Sequence, residues 1–174
     1  MRAFSKREVW VGVGAGLVAG VVFAIWQIAV AISAGASPVL PFRMFASLWF
    51  GELALDPTRS DAGRYYDVVI IGSIVHLSIA ALAGIGFAAL DSAVSRRASL
   101  TARAALGAAY GVAMWLVNFQ LLARVVYPWF LAESQLAQVA LHALAFGVPL
   151  GLMYAALEER AESRLAHDLS VVAA

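Results

Sequence analysis

The sequence predicts an all-α integral membrane protein with four transmembrane helices. Hydrophobic residues make up 63% of the 174 residues and charged residues only 13%, whereas soluble domains carry about 25% charged residues. The mean hydropathy is +0.84. Four long stretches carry no formal charge, and as helices they can cross about 30 Å of hydrocarbon because each residue adds about 1.5 Å. We therefore expect one membrane domain over residues 1–174, with spans at 9–33, 68–90, 104–123 and 134–157.

The first span lies in an uncharged interval between Glu8 and Arg43. Trp10 and Trp26 lie toward its two ends, where amphipathic rings meet the lipid headgroups. The apolar run is longer than the h-region of about 7–15 residues in a secretory signal. We interpret it as the first membrane helix.

A shorter apolar segment, PFRMFASLWFGELAL at residues 41–55, follows the first span. It is too short to cross a bilayer, and its aromatic and aliphatic residues recur at helical spacing. This pattern predicts an interfacial helix that lies on the membrane or folds against the bundle. An apolar loop packed on its neighbours is the alternative, and residues 56–67 are expected to form a solvated loop.

Charged residues delimit the three later spans. Asp67 and Asp91 bound the second span, and Arg103 precedes the third. We expect Pro149 to kink the fourth span, because proline lacks the N–H of a helical hydrogen bond. Residues 158–174 form a charged extension that begins as a helix. No Asp or Glu falls inside the four expected spans.

The distribution of Lys and Arg predicts the orientation in the membrane. With both termini in the cytoplasm, that side holds eight basic residues, namely Arg2, Lys6, Arg7, Arg96, Arg97, Arg103, Arg160 and Arg164. The opposite side then holds four, namely Arg43, Arg59, Arg64 and Arg124. We expect a multi-pass protein of the bacterial inner membrane with cytoplasmic termini.

The two halves of the chain resemble each other. One spacing of small and polar residues occurs in both odd-numbered spans, as Gly16, Gly20, Phe23 and Gln27 and as Gly107, Gly111, Met114 and Asn118. The even-numbered spans end in FAALD at residues 87–91 and YAALE at 154–158. These matches predict two similar helical hairpins related by a pseudo-two-fold axis along the membrane normal. Chance similarity between Gly/Ala-rich helices is the alternative.

Polar side chains are expected at one level of the bundle. His76 and His142 each follow the charge before their span by nine residues, or about 13 Å of helix. Gln27 and Asn118 fall at comparable depth, and Gln138 precedes His142 by one turn. Since polar groups facing lipid are costly, these side chains must find partners inside the bundle.

Three roles are open for this layer. The first is interhelical hydrogen bonding without a ligand or cofactor. The second is a cofactor site, in which His76 and His142 face each other across a square bundle and ligate haem b or a chlorophyll-type pigment. The third is a bound lipid headgroup or quinone. No metal site is predicted, and the absence of cysteine excludes disulfides and thiolate ligands.

Composition and motifs narrow the function classes. The net charge is only +1, and no basic stripe indicates a nucleic-acid partner. Ser73 and Ser78 have no general base in a recognisable motif, so we expect no catalytic residues and no enzyme activity. The sequence favours a non-enzymatic accessory or scaffold subunit of a larger membrane complex, with the bilayer and other integral subunits as partners. A haem- or pigment-binding electron-transfer subunit is the alternative, and a small channel or transporter is the second.

The order of features resembles a known group of proteins. It comprises a Gly-rich first helix, PFRMF at residues 41–45, His76, a Gly-rich third helix with Asn118, and LHALAFGVPLG at 141–151. This order is similar to that of small, mostly uncharacterised four-helix proteins of the bacterial inner membrane, including the YagU-like family. The resemblance implies the same membrane and the same four-helix fold. It implies no catalytic residues, and the loop after the first helix is shorter here than in YagU-like proteins.

Overall fold

The computed structural model describes residues 4–56, 58, 62–94 and 99–172. Within these ranges the chain is helical almost throughout and forms no strand. Helix α1 is Lys6–Ser33, α2 is Leu40–Phe50 and α3 is Ala62–Val94. Helix α4 runs through Leu100–Trp115, Leu116–Leu122 and Ala123–Val125, and α5 runs through Gln135–Ala140, Leu141–Gly147 and Val148–Val172. Short 3₁₀ turns at Glu52–Leu55 and Pro128–Ala132 follow α2 and α4.

Four of these helices are long and apolar enough to cross a membrane, as the sequence predicts. They are Lys6–Ser33, Asp67–Val94, Leu100–Val125 and Gln135–Asp168. Helix α3 begins at Ala62, so its first turn takes in part of the stretch expected to be a loop. Residues 57 and 59–61 of that stretch lie outside the described residues. The fold is that of a multi-pass α-helical membrane protein.

Serine caps begin three of the long helices. Ser5 forms a capping box with Glu8 at the start of α1, and its backbone N–H donates to Glu8 Oε2 at 2.7 Å. Ser99 and Ser134 accept hydrogen bonds from the backbone N–H groups of Ala102 and Ala137 at the starts of α4 and α5. Such caps satisfy N–H groups that have no partner in the first helical turn. At the other end of α1, Gly35 supplies the left-handed backbone, at φ +73°, that commonly ends a helix.

Glycine contacts hold the helices together in pairs. Helix α1 runs antiparallel to α3, with Gly12 and Gly16 against Gly84, so closely that a Cβ atom at any of the three would overlap backbone of the other helix. Helices α4 and α5 meet in the same way, through Gly107 and Gly151 among others. Close approach of backbones through small residues is the usual means of helix association in lipid.

Helix α1 also packs against α5, which joins the two pairs into one bundle. The shared core contains small side chains from α1 and α3 and larger ones from α3 and α5, including Ala15, Ala19, Ala80, Phe87, Leu150 and Tyr154. Helices α3 and α4 make few direct contacts. Between them, Tyr110 on α4 donates a hydrogen bond from its hydroxyl to the carbonyl of Ala83 at 3.0 Å.

Helix α2 folds against α3. The carbonyl of Phe42 lies against Gly72, where a side chain of any size would collide with it. Arg43 is buried and donates to the carbonyls of Ala54 at 3.1 Å and Asp56 at 3.3 Å. Trp129, in the turn before α5, donates from its indole N–H to Ser47 Oγ at 2.8 Å. These bonds satisfy polar groups of α2 on its packed side and fix its position in the bundle.

Helices α4 and α5 each contain a π-helical segment, Leu116–Leu122 and Leu141–Gly147. Such a segment accommodates one extra residue in a turn and is common at functional sites. The segment in α5 contains His142 and ends two residues before Pro149. It therefore lies in the turn where the missing N–H of proline already disturbs the regular hydrogen bonds.

Candidate functional site

A cavity of about 190 Å³ lies in the half of the bundle that contains the end of α1, helix α2 and the turn between α4 and α5. Its polar lining comprises Gln27, His76, Asn118, Tyr127, Glu133, Gln138 and His142. Five phenylalanines also line it, namely Phe23, Phe45, Phe119, Phe130 and Phe146. Every helix contributes to this lining, so the cavity depends on the complete fold.

The structure brings all five polar residues singled out from the sequence to this cavity. They are Gln27, His76, Asn118, Gln138 and His142. Sequence reasoning missed the polar groups near the loops, Tyr127 and Glu133, because they lie beyond the ends of the expected spans. It also missed the wall that α2 supplies. The aromatic spacing in α2 was the available signal for that wall.

His76 is fixed by a hydrogen bond between helices. Its Nε2 atom lies 2.8 Å from the carbonyl oxygen of Gly20 on α1. Since a carbonyl only accepts, we assign the proton to Nε2, and Nδ1 of the neutral ring is then an acceptor. The imidazole stacks on Phe23, with ring centres 5.9 Å apart, and lies 4.4 Å from the ring centre of Phe45.

His142 is fixed within its own helix. Its Nδ1 atom lies 2.7 Å from the carbonyl oxygen of Gln138, one turn earlier. By the same argument Nδ1 carries the proton, and Nε2 is an acceptor. The rings of Phe23 and Phe119 meet this imidazole edge to face at 5.0 and 5.6 Å.

Two amide groups at the cavity have unused oxygen atoms. Within the part of the chain that the structure describes, Gln27 Oε1 and Gln138 Oε1 are buried without a hydrogen-bond partner. A buried acceptor left without a donor costs about 1–3 kcal/mol. These atoms therefore favour water or a ligand that donates hydrogen bonds.

Among the residues that the structure describes, Glu133 is the single carboxylate of the lining, and no Lys or Arg lines the cavity. Burial raises the pKa of Tyr127, so this phenol stays protonated at neutral pH. The cavity thus combines one carboxylate with neutral polar groups and aromatic rings.

The geometry does not fit a haem b or chlorophyll-type macrocycle held between the two imidazoles. The ring of Phe23 contacts both histidines, and Nε2 of His76 is engaged with the Gly20 carbonyl. The volume of about 190 Å³ also lies below the ~300–1,000 Å³ usual for cofactor-sized ligands. Among the described residues, no group of three or more His, Asp or Glu side chains is placed to hold a metal ion.

A second cluster of polar residues, an ionic one, lies near the opposite end of the bundle. Arg103 on α4 contacts Asp91 at 3.3 Å and also contacts Glu158. Arg103 and Asp91 are almost completely buried, with 9% and 2% of their side-chain surfaces exposed. The guanidinium also lies 5.7 Å from the ring centre of Tyr154, and that ring meets Phe87 edge to face. We refer to Asp91, Arg103 and Glu158 as the Arg103 cluster.

The sequence does not predict the Arg103 cluster, because its three charged residues stand at the expected ends of spans. The matching FAALD and YAALE motifs were the available signal. Their last residues are the two carboxylates that meet at Arg103.

Comparison with known proteins adds no relative. No protein-family model, curated protein or solved structure matches the chain. The resemblance to the YagU-like group rests on the motifs quoted above and stays a proposal.

Proposed function

We propose that this protein is a non-enzymatic accessory or scaffold subunit of a larger complex in the bacterial inner membrane. The exposed face of α4 carries the proposal. Ala105, Ala109 and Ala113 recur there at intervals of four residues, and all three are exposed. A stripe of small side chains on a membrane helix allows a second helix to approach closely.

The second half of α4 exposes bulky aliphatic side chains, with Leu121 at 60% and Val125 at 80%, so the stripe of small side chains occupies the first half of this helix. Helices α1 and α3 expose bulky aliphatic side chains, such as Ile25 at 60% and Leu82 at 67%, which suit contact with lipid. Only 17% of the residues in an apolar 18-residue stretch of α4 are buried, compared with 33–44% in the corresponding stretches of the other three candidate spans. Helix α4 is therefore the span that most lacks a partner within the described chain, and a helix of another subunit would supply one.

Equivalent contacts support the proposed repeat of two hairpins. Gly16 lies against Ala80 and Gly84, and its counterpart Gly107 lies against Gly147 and Gly151. The carboxylates that end the two even-numbered spans meet at Arg103 in the same way. A pseudo-two-fold axis along the membrane normal places both termini on one side. The excess of Lys and Arg on that side favours the cytoplasm.

The proposed position of α2 is at the interface opposite the termini. Trp49 is 75% exposed and Phe50 48% exposed at the end of this helix. Aromatic side chains at such a site suit the headgroup region. A transport function has less support than a scaffold function, because Phe87, Leu150 and Tyr154 are fully buried in the core between the cavity and the Arg103 cluster.

The proposal predicts that Ala109→Leu disrupts assembly without unfolding the chain. A leucine at this exposed position holds the partner helix away, and we expect partner recovery from mildly solubilised native membranes to fall by at least ~10-fold, equivalent to about 1.4 kcal/mol. Ala89→Leu, on the exposed surface of α3, is the matched control and should leave recovery unchanged. A lone monomer from native membranes, or equal recovery for both variants, would contradict the scaffold function.

A further inference from the structure

We propose that the cavity binds a small organic cation, namely a protonated amine that carries one aromatic ring. The inference is independent of the scaffold function. It follows from three properties of the lining, which are its hydrogen-bonding groups, its charge and its volume.

The hydrogen-bonding groups favour a ligand that donates. The bonds to Gly20 and Gln138 leave His76 Nδ1 and His142 Nε2 as acceptors. The unpartnered oxygens of Gln27 and Gln138 are acceptors as well. Gln138 is only 8% exposed, so bulk water does not compete with a ligand for its side-chain oxygen. An ammonium group supplies up to three donors to such a set.

The charge of the lining favours a cation among donating ligands. Glu133 contributes a carboxylate, and no lining residue in the described part of the chain contributes a positive charge. The rings of Phe23, Phe45 and Phe119 surround the imidazoles, and aromatic faces attract cations. An anion would meet the carboxylate and four acceptors, and no Lys or Arg among the described lining residues would balance it.

The volume sets the size of the ligand. The cavity volume of about 190 Å³ lies below the ~300–1,000 Å³ of sites that hold drug-sized ligands, so the ligand is a small molecule. A one-ring amine fits this space, with its ammonium at the acceptors and its ring on the phenylalanines. An oxidised quinone offers no donor to the unpartnered oxygens of Gln27 and Gln138, because its ring oxygens only accept hydrogen bonds.

The ammonium of phosphatidylethanolamine offers the same chemistry as a free amine. Its phosphate, however, would find no basic side chain among the lining residues that the structure describes. We therefore assign the site to a free amine. Titrations in nanodiscs with and without phosphatidylethanolamine distinguish the lipid from a free amine.

The test is calorimetric titration of the full chain in phosphatidylcholine nanodiscs at pH 7. Phenethylamine is the cationic probe, phenethyl alcohol its neutral isostere, phenylacetate the anion and hydroquinone a neutral donor. We expect phenethylamine to bind at least ~10-fold more tightly than the alcohol, a difference of about 1.4 kcal/mol, and phenylacetate not to bind. Equal affinity for amine and alcohol, tighter binding of phenylacetate or hydroquinone, or no binding of any probe would overturn the proposal.

Two variants and one control locate the binding. Glu133→Gln should weaken amine binding several-fold and leave alcohol binding unchanged. Gln138→Leu should weaken amine binding by about 10-fold, because the ammonium group loses the hydrogen bond to the Gln138 side-chain oxygen. Glu159→Gln, an exposed carboxylate on the extension of α5, should change neither affinity. Thermal unfolding without ligand verifies that each variant is folded, and unchanged amine affinity in both cavity variants would refute the site.

A repeat in nanodiscs that contain phosphatidylethanolamine identifies the natural source. Unchanged amine affinity supports a free amine. Competition by the lipid supports the ammonium chemistry but refutes the assignment to a free amine.

Discussion

Arg103→Met is expected to lower the free energy of unfolding by about 3–5 kcal/mol, the usual cost of removing one partner from a buried ion pair. The substitution keeps much of the side-chain volume but leaves Asp91 and Glu158 without the guanidinium that both contact. Asp91 is only 2% exposed, so water cannot replace the lost charge. Unfolding in mixed micelles with increasing SDS, followed by tryptophan fluorescence, measures the change.

Two further variants separate the Arg103 cluster from a general effect of lost charge. Arg7 pairs with Glu162 at 3.4 Å, with 31% and 61% of their side-chain surfaces exposed. Arg7→Met should therefore cost no more than about 1 kcal/mol. Combining Arg103→Met with Asp91→Asn and Glu158→Gln removes the uncompensated charges and should recover much of the lost stability. Equal effects at positions 7 and 103 would show that the cluster does not stabilise the fold.

The second large effect is expected at the contact between α1 and α3. A Cβ atom at Gly84 would overlap the carbonyl oxygen of Gly12 and lie 2.9 Å from Gly16 Cα. Both are backbone atoms and cannot rotate away. Gly84→Ala should therefore lower the free energy of unfolding by about 3 kcal/mol, the upper end of the usual cost of overpacking, in the same SDS titration.

Matched glycines make this prediction specific. A Cβ atom at Gly14 would lie 3.3 Å from Leu157 Cδ1, the end of a flexible side chain. Gly14→Ala should be neutral or stabilise by up to about 1 kcal/mol, because alanine is the better helix former. Gly151 has the place of Gly84 in the second hairpin and lies against the Arg103 carbonyl, so Gly151→Ala should cost as much as Gly84→Ala. A tolerated alanine at both positions would disprove the close backbone contact.

Local patterns predicted a large part of this architecture. The uncharged lengths predicted four helices able to span a membrane, and the structure has four. The equal spacing of His76 and His142 from the charges before their spans predicted that the two would share a level, and both line one cavity. The prediction of four helices succeeds because helical rise and bilayer thickness relate the length of an uncharged run directly to a membrane crossing.

Neighbour relations between spans were harder to predict. A square bundle with spans two and four on a diagonal would place the two imidazoles opposite each other across an open axis. In the structure α1 contacts both α3 and α5, as that arrangement requires, but α3 and α4 make few direct contacts, and the ring of Phe23 contacts both imidazoles and so occupies the space between them. Which spans become neighbours depends on small side chains on faces of different helices, and spacing within one helix does not encode this choice.

Two other features were not predicted from the sequence. Asp91 and Glu158 look like the ends of spans, yet they are drawn inward by Arg103 from a third helix. The π-helical segment around His142 leaves no composition signature either. From His76 to Ala80 is four residues, whereas the corresponding interval from His142 to Gly147 is five. One additional residue per turn is the defect that a π segment accommodates.

The central claim is that lipid is the solvent around four spans. The chain contains no cysteine, so single cysteines can carry spin labels without background. Labels at Leu82 and Leu144, which are 67% and 65% exposed, should collide with dissolved oxygen and not with a water-soluble nickel chelate when the protein is in liposomes. A label at Leu165 in the charged extension should collide with the nickel chelate more readily than with oxygen. Ready collision of the chelate with labels at positions 82 and 144 would contradict the membrane fold.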